Sequence, residues 1–318
     1  MNQGFTGIIG HEVQKEYLIG VLEADKLAHG YCFSGDEHLG KTLVALRFVA
    51  NLLKIDVQKL RSHPEVIFAE KAFDKKKKEY KNYIGVEEIR LLTQRLALSS
   101  FSGGTKVAII ENAELMNTQA QNALLKTLEE PSGKTLIILV ANRPEALLQT
   151  ILSRVVHLRF GLVARDTICK ELETTLIKET AHELAGISAG RPGIAKELLD
   201  KEKREAYSDA LEEAFNFLKA PLATRLETAE KIAKDLSKTE LQEQLAIWRS
   251  IAHDCLLFSQ NCEHLLSYSN RPARIGELVH ISAARDWAKV LEAIGETELS
   301  LRYNGNVTLA LEHFVLAF

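Results

Sequence analysis

The sequence between residues 29 and 54 has the pattern of a strand, a loop that begins with glycine and contains a second one, and a helix. No other feature of the sequence constrains the fold as strongly. Residues 29–34, HGYCFS, have the apolar content of a buried strand, and residues 43–54 repeat apolar side chains at helical spacing. The connecting octapeptide, residues 35–42, is GDEHLGKT. In this setting the octapeptide is typical of a phosphate-binding loop, which predicts a parallel α/β sheet around it.

The types of residue in this loop suit a nucleotide with Mg²⁺. Glycines permit backbone angles that expose N–H groups to phosphate oxygens at the start of a helix. Lys41 would reach the β- and γ-phosphates, and the Thr42 hydroxyl would bind the metal ion. The predicted nucleotide-binding residues of the loop are Gly35, His38, Leu39, Gly40, Lys41, Thr42 and Leu43.

Two carboxylates, Asp36 and Glu37, lie inside the same loop. Negative charges a few ångströms from a triphosphate repel it unless they point to solvent, and salt weakens this repulsion without removing it. We therefore predict that the loop binds ATP or ADP, but that binding is weakened.

A second apolar strand, residues 106–110, ends in Glu111 and Asn112. In a P-loop ATPase, acidic residues after such a strand hold Mg²⁺ and activate the attacking water. Glu111 can serve the metal ion together with Thr42. Asn112 lies where the general base is expected, and a neutral amide orients water but does not accept its proton. This predicts slow or absent hydrolysis, with Glu114 as the alternative base.

Strand and helix patterns alternate as far as about residue 160, and only helical patterns follow. This order predicts parallel strands with helical crossovers in an α/β domain, followed by helical domains. Residues 166–186 and 193–220 each have the spacing of one long helix. The predicted domains are 1–164, 165–205 and 206–318.

The net charge of −3 gives no general excess of basic residues for binding nucleic acid. The N-terminal segment has no basic stretch followed by an apolar core, and no apolar run approaches the length of a membrane span. We therefore expect no signal peptide, no membrane partner and a cytoplasmic location with reduced thiols.

Two further segments have a suggestive composition but a simpler interpretation. Residues 71–83, KAFDKKKKEYKNY, include the lysine run 75–78, which could contact a phosphate backbone, but a solvated hairpin or loop is favoured. Cysteine and histidine recur in HDC at 253–255 and in CEH at 262–264. Their spacing is not that of a familiar zinc site, and both lie in a helical pattern. We therefore predict no zinc site.

Residues 113–156 resemble the bacterial clamp-loader branch of the AAA+ ATPases. The segment MNTQAQNALLKTLEEP, residues 116–131, is similar to the helix after that family's second acidic strand. ILSRV, residues 151–155, matches its Ser-Arg-Cys element, with valine in place of cysteine. The resemblance extends over residues 5–160 and weakly through 188–199.

The resemblance implies an AAA+ sheet with a helical lid, followed by an all-α collar domain that holds five subunits in a ring. In such rings the Ser-Arg element of one subunit reaches the γ-phosphate held by its neighbour. Arg154 is the matching arginine finger, and Asn142 falls at the polar sensor at a strand end. Both assignments are implied by the resemblance alone.

The chain also departs from the motor members of this family. Residues 51–63 lack the cysteines of their zinc module, and Gly193 stands where they carry a lid arginine, with Arg191 two positions away. Water activation and γ-phosphate sensing are therefore predicted to be impaired, while the outgoing Arg154 is intact. This combination fits a subunit that serves its neighbour's ATP.

Three interpretations remain open. The first is an accessory arm of the DNA polymerase III clamp loader, with an ATPase subunit of the tau/gamma type, a delta-type subunit, the sliding clamp and primed DNA as partners through the complex. The second is an active AAA+ motor, either the tau/gamma-type ATPase itself or a remodeller of recombination intermediates. The third is a nucleotide-gated scaffold outside replication, which only its partners would distinguish from the first.

Overall fold

The computed structural model divides the chain into two compact units, which are described separately. The first unit comprises residues 1–167 and 191–193, and the second comprises 168–190 and 194–318. The predicted division into three domains stays a prediction. The residues that the structure describes are 3–69, 73–74, 79–80, 82–98, 103–281, 286–303 and 305–317.

The first unit is built around a parallel five-stranded sheet with the order β2-β5-β6-β1-β7. The predicted α/β class and the five predicted strands are confirmed. The strands are β1 (Gly30–Ser34), β2 (Val66–Ala69), β3 (Phe73–Asp74), β4 (Glu79–Tyr80), β5 (Lys106–Ile110), β6 (Thr135–Ala141) and β7 (Val156–Arg159). β3 and β4 pair antiparallel, in the segment for which a solvated hairpin or loop is favoured. The lysine run at 75–78 lies outside the described residues.

Helices cover both faces of the sheet, so its central strands are apolar on both sides. β1, β5 and β6 are buried along their whole length, whereas the edge strand β7 alternates in exposure. In β1, Tyr31 and Phe33 pack with Phe48 in one core, and Cys32 points to the other. The helices of this unit are α1 (Glu12–Glu23), α2 (Lys41–Leu53), α3 (Val86–Ala97), α4 (Thr118–Glu129) and α5 (Gln149–Leu152).

After β7, the structure is helical throughout the described residues, as predicted. Two stretches that were predicted as single helices are each two helices. In 166–186, Thr174 follows the end of the first helix and its hydroxyl donates to a carbonyl three residues earlier, at 2.7 Å. In 193–220, the carboxylate of Asp200 accepts the N–H of Lys203 at 3.1 Å and so caps a new helix.

The helices of this region have the following bounds: α6 (Arg165–Leu172), α7 (Lys178–Ile187), α8 (Pro192–Glu197), α9 (Lys201–Lys219), α10 (Leu222–Asp235), α11 (Lys238–Ser259), α12 (Pro272–Ile281), α13 (Trp287–Arg302) and α14 (Val307–Leu316). Among the described residues, no helix is long and apolar enough to cross a membrane.

An aromatic stack lies in the core of the second unit. Trp248 on α11 is fully buried between Phe217 and Phe314, with ring centroids 4.6 Å and 5.1 Å away. Both pairs are nearly parallel, with interplanar angles of 17° and 26°. The indole N–H of Trp248 has no hydrogen-bond partner. The tryptophan therefore contributes to stability through packing alone.

Candidate functional site

The loop at 35–42 joins the carboxyl end of β1, a central strand, to the start of α2. Gly35 has φ 140°, and a Cβ atom there would lie 2.2 Å from the carbonyl oxygen of Phe160. Gly40 has φ 87° and is the N-cap of α2. Both positions therefore require glycine, one for conformation and space and the other for conformation. The backbone N–H groups at the start of α2 are suited to binding an anion.

Lys41 is buried at the first position of α2 and turns back over the loop. Its Nζ donates to the carbonyl of Asp36 at 2.5 Å and to Oδ1 of Asn142 at 2.9 Å. Burial lowers the pKa of Lys41, and the carboxylates of Glu114, Glu37 and Asp36 oppose this change. The predicted loop lysine and the predicted sensor are therefore in direct contact.

Asn142, which follows β6, contacts side chains from two other segments of the site, the loop and the residues after β5. Its backbone N–H donates to Glu114 at 3.2 Å, and its Nδ2 lies 3.2 Å from Oε1 of Glu37. The same amide nitrogen lies 3.4 Å from Oδ1 of Asn112. Because β6 lies between β1 and β5, the ends of these strands meet here. The site therefore contains the carboxylates of Glu37 and Glu114 as well as the ammonium of Lys41, which would bind a phosphate.

The end of β5 supplies an amide and a carboxylate. Asn112 has φ 50° and ψ 50°, a left-handed conformation that asparagine tolerates better than most residues. Aspartate tolerates the same conformation, so the backbone alone does not require an amide at the position of the expected base. Glu111 forms an ion pair with Arg61 at 3.5 Å. The role of Glu111 and Thr42 at Mg²⁺ stays a prediction.

Residues 191–193 belong to the first unit and contact the loop directly. The N–H of Gly193 donates to the carbonyl of His38 at 2.7 Å, and Arg191 lies 3.5 Å from a carboxylate oxygen of Asp36. A Cβ atom on Gly193 would lie 2.7 Å from the same His38 oxygen. An arginine therefore does not fit at this position while the loop keeps its conformation.

His11 is a residue of the site that sequence reasoning missed. Its Nε2 lies 2.9 Å from the carbonyl oxygen of Leu39, and its ring packs edge-on against Phe160, with centroids 4.9 Å apart. Burial lowers its pKa from the usual 6.5. The available signal was a polar residue immediately after the apolar GIIG and before a helix. His11 therefore contacts the backbone of the loop at Leu39.

The half-buried imidazole of His11 predicts a loss of stability in acid. Because the folded chain holds His11 with a lowered pKa, the unfolded chain takes up its proton first as the pH falls below 6.5. We expect the free energy of unfolding to decrease there, by at most about 1.4 kcal/mol per pH unit for one proton. Urea unfolding at several pH values should show a shallower decrease in His11→Asn than in the wild type. Substitution of the exposed His264 should leave the slope unchanged, and equal slopes in all three proteins would contradict the assignment.

Arg154 lies between α5 and β7, and its guanidinium is held within its own unit. It pairs with Glu129 at 2.7 Å, and donates to the carbonyl of Thr150 at 2.9 Å and to Oγ of Ser153 at 3.1 Å. The side chain is 36% exposed. Glu129 is the last residue of α4, so the partner of the arginine belongs to a regular helix. Its role as a finger stays a prediction.

Three of the four cysteines, Cys32, Cys169 and Cys255, are buried, and Cys262 is half-buried. Burial and the charge of Glu114 raise the pKa of Cys32 to about 12, so its thiol is unreactive. Cys169, Glu173 and His182 have ligand atoms within 4.8 Å of one another. The thiol of Cys169 and the imidazole of His182 both face Oε1 of Glu173, at 3.6 Å and 3.8 Å. The thiol of Cys169 donates a hydrogen bond to this oxygen, whereas His182 lies beyond hydrogen-bond distance from it. Cys255, from the zinc-like pair, is buried.

Comparisons with known proteins support the resemblance. The family described as DNA polymerase III, delta subunit, matches residues 10–163. The DNA polymerase III subunit delta' of Pseudomonas aeruginosa is 32% identical over 213 residues, which cover 62% of this chain and 63% of that subunit. The match thus spans less than two thirds of this relative. The delta' subunit of Bacillus subtilis is 24% identical over 319 residues, covering 94% of this chain and 93% of that subunit.

One solved structure supports the fold. It is a DNA polymerase III gamma subunit-related protein from Thermotoga maritima, with a TM-score of 0.51 and 22% identity. The similarity covers 94% of this chain and 97% of that chain. At this identity the comparison supports the architecture, including the helical region after β7, and no more.

Proposed function

We propose that the chain is an accessory subunit of a clamp loader of the delta-prime type, because residues 10–163 match the family described as DNA polymerase III, delta subunit, and a delta' subunit is 32% identical to the chain. In this role it helps to load the sliding clamp on primed DNA. Its own loop binds ATP or ADP weakly and hydrolyses ATP poorly. Its partners are an ATPase subunit of the tau/gamma type and a delta-type subunit, in the cytoplasm, and it meets DNA through the complex.

The observation that carries the proposal is the amide of Asn112 at the position of the general base. We propose that the nearby carboxylate of Glu114 does not take over this role. One of its oxygens accepts the N–H of Asn142 at 3.2 Å and its charge acts on Lys41, so this carboxylate already has two partners within the site. The close approach of Gly193 to His38 also leaves no space for a lid arginine at position 193.

The loop residues are suited to holding a nucleotide even though they are poorly suited to hydrolysing it. The N–H groups at the start of α2 would bind phosphate oxygens, and Lys41 would exchange its contacts with Asp36 and Asn142 for phosphate. Thr42 and Glu111 would hold Mg²⁺, which supplies charge neutralisation when it is bound. Asp36 and Glu37 disfavour this exchange by repulsion.

Arg154 would act on the nucleotide of a neighbouring subunit. A planar guanidinium neutralises charge that develops on the transferred phosphoryl group. In this chain its partner is the carboxylate of Glu129, at 2.7 Å. The γ-phosphate of the neighbour would compete with Glu129 for the same donors. Pairing with Glu129 keeps the arginine ordered on the surface before that contact forms.

Steady-state ATP hydrolysis by the purified chain tests the proposal. With Mg²⁺, and with or without primed DNA, we expect turnover indistinguishable from that of Lys41→Ala. Both proteins lack a group that can accept the proton of the attacking water. Robust turnover that Lys41→Ala abolishes would overturn the proposal. It would identify the chain as an AAA+ motor of the tau/gamma type, with Glu114 or a second copy supplying the base.

A further inference from the structure

The phosphate loop places one of its own carboxylates beside the side chains expected to hold the last phosphate of a nucleotide. Lys41 and Asn142 are those side chains, and they contact each other at 2.9 Å. The Nδ2 of Asn142 lies 3.2 Å from Oε1 of Glu37. A negatively charged oxygen of the protein therefore already occupies a donor that a γ-phosphate would use.

Hydrogen bonds and charge both favour this arrangement. Lys41 donates to the oxygen of the Asn142 amide, and the nitrogen of the same amide donates to Glu37. Each bond polarises the next, so the carboxylate and the ammonium strengthen one another through the amide. Glu37 is also among the carboxylates that raise the pKa of the buried Lys41. The carboxylate of Glu37 therefore provides part of the negative charge near Lys41 that a bound phosphate would provide.

The neighbouring carboxylate has a different partner. Asp36 lies 3.5 Å from Arg191, and only its backbone carbonyl accepts from Lys41. The two acidic residues of the loop therefore have equal charge and adjacent positions, but only Glu37 contacts Asn142. Asp36 is for this reason a charge-matched control for Glu37.

We infer that Glu37 is an internal substitute for the terminal phosphate, so that this site takes a nucleoside diphosphate in preference to a triphosphate. The inference rests on the nucleotide binding that the proposed function includes. The α- and β-phosphates can use the backbone N–H groups at the start of α2. A third phosphate must displace Glu37 from Asn142 and then remain close to its charge. Glu37 thus determines specificity at the position of the third phosphate.

Equilibrium binding to the full-length chain, with Mg²⁺, tests this selectivity. The probes are ADP and a non-hydrolysable ATP analogue, measured by calorimetry. We expect the wild type to bind ADP more tightly, and Glu37→Gln to reduce the ADP preference by about tenfold, because one charge close to the third phosphate is removed. Asp36→Asn removes the same charge and is expected to shift both affinities alike. Glu37→Asp keeps the charge on a shorter arm and should fall between Glu37→Gln and the wild type.

Two results would overturn the inference. An ADP preference that Glu37→Gln leaves unchanged, or that Asp36→Asn reduces equally, would show that the position of Glu37 has no special part. Failure of every protein to bind either nucleotide at millimolar concentration would remove both this inference and the nucleotide-binding part of the proposed function. That failure would leave the role of Arg154 untouched, because Arg154 is tested on a neighbour's nucleotide in an assembled loader. Circular dichroism should confirm that each variant is folded.

Discussion

In a reconstituted clamp loader, Arg154→Ala is expected to lower the ATPase rate at the neighbouring site by about 10³-fold or more, the scale of an arginine finger. The variant should still fold, because the side chain is 36% exposed and its contacts, with Glu129, Thr150 and Ser153, are on the surface. The measurement is single-site turnover with the other ATP sites inactivated. Assembly of the complex should be unchanged on a sizing column.

Three companion variants separate a finger from a surface ion pair. Arg154→Lys keeps the charge but loses the planar fork, so it should recover little of the rate. Glu129→Gln removes the resting partner and should leave the neighbour's turnover intact. Arg159→Ala, an exposed arginine at the end of β7, serves as the matched control. Full turnover with Arg154→Ala would contradict the role of an arginine finger and leave only the surface ion pair with Glu129.

Trp248→Ala is expected to reduce the free energy of unfolding of the second unit by about 3–5 kcal/mol. The side chain is fully buried, and its removal would leave a cavity between Phe217 and Phe314. Chemical denaturation followed by far-ultraviolet circular dichroism measures the loss. Because the damage lies in the second unit, nucleotide binding at the loop of the first unit should be little changed.

The matched variant is Trp248→Phe, which retains an aromatic ring and removes the indole N–H that lacks a partner. Removing an unsatisfied buried donor offsets part of the packing loss. We therefore expect Trp248→Phe to cost much less than Trp248→Ala. Similar losses in the two variants would contradict a contribution through packing alone, because phenylalanine retains most of the packing that alanine loses.

The fold of the first unit was predictable because its signals are local. Apolar runs such as residues 106–110 mark strands without reference to any other part of the chain, and the glycine loop fixes what flanks it. The two missed helix breaks arose from the same reliance on periodicity. The apolar spacing continues across Thr174 and Asp200, whereas their hydrogen bonds interrupt the backbone.

The site was predictable in its residues but less so in their contacts. The loop lysine and the strand-end Asn142 could be named from motif and resemblance, although they are 101 residues apart. His11, 28 residues before its partner Leu39, carries no motif that points to the loop. The contact of Glu37 with Asn142 depends on a side-chain conformation, which only the assembled sheet determines.

The contact between Gly193 and the loop has an evolutionary consequence. The N–H of this glycine is bound to the carbonyl of His38, and any side chain would begin 2.7 Å from that oxygen. A single substitution does not place an arginine at position 193, because the loop must first move away from its present conformation. Two substitutions are therefore needed, and the one that moves the loop has to come first.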